Sequence, residues 1–139
     1  MIKFRAWDKE EKEWLNIRTI GFDDDGSLWY LQAWDDNEND IEPPYFSDDL
    51  GVKWELIQST GLKDKNGTEI YEGDIIQHSE KPNPVFKYPF EVVQFKTGEW
   101  RLDNFIGGTV LAYCNQDELE VIGNIFQNSE LLEADSHER

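Results

Sequence analysis

The sequence predicts a mainly β fold, on three observations. Short apolar and aromatic runs show the period-two alternation of half-buried strands. Clusters of Asp, Asn and Gly separate those runs at short intervals, as turn residues do. No stretch carries the sustained periodicity of a long amphipathic helix, and no segment repeats another.

The chain opens on Ile2-Lys3-Phe4-Arg5-Ala6-Trp7, whose alternation puts Ile2, Phe4 and Ala6 on one face of a strand. Asp8-Lys9-Glu10-Glu11-Lys12 makes a polar turn, and Trp14-Leu15-Asn16-Ile17 resumes an apolar run. Asp23-Asp24-Asp25-Gly26 closes a second turn before the aromatic-rich run Ser27–Trp34, which reads as a strand with helix as the alternative. Residues 35–51, DDNENDIEPPYFSDDLG, are acidic, contain Pro43-Pro44 and show no period, so they read as an irregular exposed connection. Trp54–Ile57 is a further strand, and EKPNPVFKYP at 80–89 a second irregular connection. Phe90–Phe95, Lys96-Thr97-Gly98 and Glu99–Leu102 together spell a β-hairpin. Thr109–Tyr113 and Leu119–Phe126 are the last strand candidates. Asn128 stands where a side-chain oxygen would cap a short helix over SELLEA.

The most specified stretch is GLKDKNGTEIYEGDII, residues 61–76. Asn66-Gly67 is the pair that a two-residue type I′ hairpin turn favours, with Asp64-Lys65 and Thr68-Glu69 as flanking rungs. Gly61 permits a tight bend after the preceding strand. Glu72-Gly73 reverses the chain again, and Asp74 leads into Ile75-Ile76. A phosphate loop would need its glycines beside a helix N-terminus with a lysine in reach; here extended, acidic sequence separates them. Gly61, Asn66, Gly67, Gly73 and Asp74 are therefore assigned to folding rather than to chemistry.

This stretch, preceded by Thr60, resembles the signature of the YopX-like family of bacteriophage and prophage proteins. The opening IKFRAWD and the closing EVIGNIFQNSELL resemble that family's two other landmarks, in the expected order. The chain departs from the pattern at Ser59, where an aromatic residue is common, and at Ser129, where proline often follows the asparagine. The resemblance implies a β-rich phage protein whose second half is an SH3-like barrel, and it brings no catalytic residues with it. The expected organisation is then a β-rich N-terminal portion over 1–56, including the acidic connection 35–51. An SH3-like β-barrel follows over 57–128, and a short helix with a frayed tail over 129–139.

Composition limits the function. Thirteen Lys and Arg stand against thirty Asp and Glu, a net charge of -17, which repels nucleic-acid phosphates and anionic membranes. Direct nucleic-acid binding is thus not expected, whereas partners with basic surfaces are favoured. No run approaches the roughly 20 apolar residues that span a bilayer. Cys114 is the only cysteine, so no internal disulfide can form, and the N-terminus lacks the apolar core of a signal peptide. The expected location is the cytoplasm of a bacterial host cell.

The sequence carries few residues arranged for chemistry. His78 and His137 have no histidine or cysteine at ligand spacing, and His78 reads as a solvent-facing residue at a strand end. The acidic runs at Asp23 and Asp35 fail to place the glycine and glutamate of a calcium loop. Cys114, in VLAYCNQ, reads as a small packed hydrophobe, with a Cys-His pair to His78 resting on availability alone. Carboxylate pairs are too abundant to single one out. No catalytic, cofactor or metal residues are assigned, and the chain is expected not to be an enzyme.

Two functional readings remain. The first is a protein-interaction or assembly module, with self-association left open, since sheet edges pair readily and five tryptophans fall in the first 54 residues. Its candidate surface is Asp35, Asp36, Glu38, Asp40 and Glu42 together with Trp29 and Trp34. The second is an acidic decoy that imitates DNA phosphates toward a host DNA-binding protein, suggested by the absence of Lys and Arg from residues 19–52.

Overall fold

The structure, a computed structural model, describes residues 3–35, 40–79 and 87–132. It is mainly β, with two antiparallel sheets, and the chain divides into two compact units. One is Phe4–Ile57; the other is residues 58–139 together with residues 1–3.

The N-terminal unit is a meander. Strand β1 (Phe4–Asp8) pairs with β2 (Glu13–Phe22), placing Trp7 opposite Trp14 and Asp8 opposite Glu13. The turn between them is built on Asp8, whose Oδ1 accepts the backbone N–H groups of Glu10 and Glu11 at 2.9 Å. β2 pairs in turn with β3 (Leu28–Trp34), with two register shifts. The connection after β3 is less irregular than its composition suggests. Its far end runs back antiparallel along β3: Ile41 bridges Trp34, the Glu42 N–H donates to Ala33, and β4 (Tyr45–Phe46) pairs Tyr45 with Leu31. Pro43-Pro44 interrupt this edge, where a missing N–H costs no ladder bond. A single 3-10 turn, Ser47–Asp49, follows, and then β5 (Trp54–Lys63), which carries the chain from one unit into the other.

The core of this unit is Ala6, Leu31, Ala33 and Trp54, flanked by Leu15, Ile17, Ile20, Leu28, Tyr45 and Leu56. Trp54 is wholly buried because its one polar atom has a partner, the Phe46 carbonyl at 2.9 Å from Nε1.

In the C-terminal unit, β5 pairs with β6 (Glu69–Tyr71). A second sheet runs in the order β10-β9-β8-β7-β11: β7 is Asp74–His78, β8 Phe90–Gln94, β9 Trp100–Asp103, β10 Gly108–Val110 and β11 Leu119–Asn124. Its core is Ile70, Ile76, Phe90, Val92, Leu102, Leu111 and Leu119. The mainly β class therefore holds, while the SH3-like expectation needs adjusting. Among the described residues the five-stranded sheet is open, with β10 and β11 at its edges, and its hydrogen bonds do not close a barrel.

Several local expectations change with it. Gly61 does not end its strand; it sits at φ +81 inside β5, where four steps from Ser59 to Lys63 face two steps from Tyr71 to Glu69. The bend is thus a bulge, held by the Ser59 hydroxyl accepting the Gly61 N–H at 3.0 Å. The strand expected over Thr109–Tyr113 stops at Val110, and Leu111–Tyr113 is a 3-10 turn that drops Leu111 into the core. Asn128 does not cap the last helix with its side chain: Oδ1 accepts the N–H of Asn124 instead, at 3.2 Å. Helical backbone begins at Glu130 and is described to Leu132; the rest of the expected helix and tail lies outside the described residues, as does most of the 80–89 connection. His78 is buried, not solvent-facing, with its Nδ1 3.8 Å from a Glu118 carboxylate oxygen.

Candidate site: an acidic and aromatic cleft in the N-terminal unit

Within the stretch 61–76, buried carboxylates hold a loop and a reversal. Gly67 takes the left-handed backbone, at φ +80, but Asn66 does not; Lys12 is the one non-glycine at positive φ among the described residues. The turn is accordingly not type I′. It is a longer loop closed by Gly67 N–H on the Asp64 carbonyl and by Asp64 N–H on that of Thr68, the pattern of a type I turn followed by a left-handed glycine.

Asp64 overrides the two-residue turn. Its Oδ1 accepts the N–H groups of Asn66 and Thr68, and its Oδ2 accepts that of Val121 in β11, each at 2.9 Å. Burial pushes the Asp64 carboxyl up, but the three backbone donors outweigh it and hold it below the usual carboxylate range. Asp74 is also buried and accepts the Tyr71 N–H at 2.8 Å, which shapes the reversal at Gly73. At Gly73, φ is +84 and an added Cβ would lie 3.2 Å from the Phe126 ring. The carboxylates of Asp64 and Asp74 thus accept backbone N–H groups.

A concave site lies elsewhere, wholly within the N-terminal unit. A cleft of about 620 Å³ opens beside the β1–β2 turn. From that hairpin come Asp8, Glu10, Glu11, Glu13, Trp14, Leu15 and Asn16. The end of β3 and the returning connection add Ala33, Trp34, Asp35, Glu42, Pro43, Pro44 and Tyr45, and the approach to β5 adds Asp49, Lys53 and Trp54. Seven carboxylates thus face one lysine across walls that include three tryptophans and a tyrosine.

Asp8 and Tyr45 are tied to each other in this lining. Asp8, almost fully buried, accepts the two turn N–H groups on one oxygen and the Tyr45 hydroxyl at 2.7 Å on the other. Burial first, and the neighbouring Asp8 second, push the Tyr45 phenol well above its ordinary value, so it stays protonated and donates. Tyr45 also meets Trp54 edge-on at 5.9 Å. Trp14 packs edge-on against Trp7 at 4.8 Å and carries the Arg5 guanidinium over its ring at 4.3 Å. Trp34 carries the Arg18 guanidinium at 5.4 Å. Glu10, Glu11, Glu13 and Glu42 are exposed.

Of the surface residues expected from sequence, Asp35, Glu42 and Trp34 line this cleft. Asp40 is exposed outside it, with Oδ1 accepting the Ile41 N–H, and Trp29 is exposed and packs edge-on against Tyr30. Asp36 and Glu38 lie outside the described residues. The hairpin contribution, Asp8 to Asn16, was missed because it read only as a polar turn. Its signal was the run of acids DKEEKEW ending on a tryptophan, whose partner segment is set by strand order and not by sequence proximity. Among the described residues no group of three or more His, Cys, Asp or Glu is placed to hold a metal ion.

Comparison with known proteins accords with this fold. The profile of the YopX protein family matches residues 3–133. A crystal structure of protein EF1440 from Enterococcus faecalis is similar at a TM-score of 0.64 with 33% identity, covering 95% of this chain and 98% of that one. The crystal structure of yopX from Bacillus subtilis is similar in fold at a TM-score of 0.61 with 23% identity, covering 93% and 96% of the two chains. No curated protein matches.

Proposed function

We propose, from the premise that this chain belongs to the YopX family, that it is a non-enzymatic interaction module which holds a partner protein through the N-terminal cleft. In this reading it is a phage or prophage protein acting in the bacterial cytoplasm. The observation that supports it is the lining of the cleft: aromatic and proline surface to bury, bordered by carboxylates that attract a basic partner. A volume of about 620 Å³ falls inside the roughly 300–1,000 Å³ of typical ligand sites, enough to seat a short protein segment. The residues fixed there support binding rather than turnover. Tyr45 is held protonated against Asp8, whose carboxylate is in turn committed to the turn. No helix among the described residues is long and apolar enough to cross a membrane.

The decoy reading asks for carboxylates displayed outward as a phosphate array, whereas those around the cleft border a concavity. One experiment separates the two readings. Tagged wild-type chain and the Glu13→Lys/Glu42→Lys variant are used to capture proteins from bacterial lysate at low and physiological salt. The module reading expects a partner retained at both salts by wild type and lost by the variant. A partner bound equally by both chains contradicts it, and retention only of DNA-binding proteins, only at low salt, favours the decoy.

A further inference from the structure

We infer that the partner segment seated in the cleft is an extended peptide bearing arginine. The inference rests on the interaction-module reading and adds the chemistry of the ligand. Charge gives the sign: seven carboxylates against Lys53 leave the lining strongly negative, so a cationic segment gains and an acidic one is rejected. Spacing gives the shape. The carboxylates come from three separate segments, the β1–β2 hairpin, the connection after β3 and the approach to β5, so the charge suits several cations along a chain better than one point ion.

The aromatic walls select the guanidinium. Trp14 and Trp34 both line the cleft and stay half-buried. Each holds an arginine of this chain over its ring, Arg5 at 4.3 Å on Trp14 and Arg18 at 5.4 Å on Trp34. Neither arginine lines the cleft, so a partner's guanidinium would meet the ring surface that does. A planar guanidinium stacks on such a ring while its N–H fork meets a carboxylate bidentately; a lysine ammonium can do the first weakly and the second not at all. Leu15, Pro43 and Pro44 supply apolar contact for residues between the arginines. A bare polyamine would match the charge but leave those surfaces wet.

The test is fluorescence anisotropy of labelled peptides with the full chain. The peptides alternate arginine with small apolar residues, and a second set replaces each arginine by lysine. The arginine peptide is expected to bind, with the lysine version weaker by about fivefold or more. Glu13→Gln/Glu42→Gln, which changes only exposed side chains, should weaken the arginine peptide by about tenfold. The matched pair Asp117→Asn/Glu130→Gln, exposed in the C-terminal unit, should leave affinity unchanged, with thermal melts confirming that all variants fold. Equal binding of lysine and arginine peptides overturns the inference. So does equal weakening by the two pairs of substitutions, displacement of the peptide by spermidine as readily as by unlabelled peptide, or no binding at all. If lysate capture yields a cleft-dependent partner while the peptides fail, the arginine inference alone falls. If cleft substitutions alter neither capture nor peptide binding, both readings fall.

Discussion

The two units of this chain use the same side chain in opposite ways. In the C-terminal unit Asp64 and Asp74 are buried, and their oxygens accept backbone N–H groups that define a turn and a reversal. In the N-terminal unit Glu10, Glu11, Glu13 and Glu42 stand exposed around a cleft with aromatic walls. Asp8 marks the boundary between the two uses, since it lines the cleft and yet holds the first turn. A buried carboxylate is tolerable only when donors replace its water, so its chemistry is committed to the fold. An exposed one keeps its capacity to meet a ligand. In this chain, then, burial and partners distinguish the carboxylates that hold turns from those the proposed binding role would use, where residue type alone cannot.

The contrast can be broken most forcefully at Asp64. Replacing it with Ala strands three backbone donors, and stability should fall by roughly 3–4 kcal/mol, read as the midpoint of chemical denaturation. A loss under about 1 kcal/mol would show that the loop does not depend on that carboxylate. Gly73→Val comes next. It forces a β-branched residue to positive φ and presses a Cβ toward Phe126, for an expected loss of roughly 2–3 kcal/mol. Gly67→Val meets open space, so backbone strain alone should cost about 1–2 kcal/mol.

The pH dependence sharpens the same contrast. The folded-state pKa of Asp64 is depressed, so its contribution is present above the unfolded carboxylate pKa and lost as pH falls through the folded value. Glu91 in β8 is the reverse case. Burial first, then the charges of Asp103 and Glu72, raise its pKa, so its contribution is present below the unfolded value and lost as pH rises through the folded one. Glu91→Gln should therefore raise thermal stability at neutral pH by up to about 1 kcal/mol, and do less in mild acid. A loss at neutral pH would contradict the assignment. The smallest stability effect belongs to the cleft: Glu13→Gln/Glu42→Gln should stay within about 0.5 kcal/mol of wild type in the same melts.

Much of this fold was legible in the sequence, because strands and hairpins are written locally. Residues 4–8, 28–34, 90–94 and 100–103 follow from alternation and turn residues. What escaped was set by contacts distant in sequence. Asn66-Gly67 looks like a type I′ turn until Val121 is found bonded to Asp64, 57 residues away. His78 looks exposed at a strand end, yet β11 lies against β7 and Leu119 pairs with it. The connection over 35–51 looks irregular because its prolines hide an edge that returns along β3. Half of the cleft was visible as an acidic run with tryptophans. The other half, from Asp8 to Asn16, became visible only once β1, β2 and β3 were neighbours.

The measurement that tests the division of labour most directly is site-specific photo-crosslinking in bacterial cells. A photoreactive residue is placed at Glu42, on the rim of the cleft, and in a second chain at Lys65, exposed in the C-terminal turn. A discrete protein adduct from position 42 and none from position 65 is the expected result. Adducts from position 65 alone would place recognition on the turn and contradict the account.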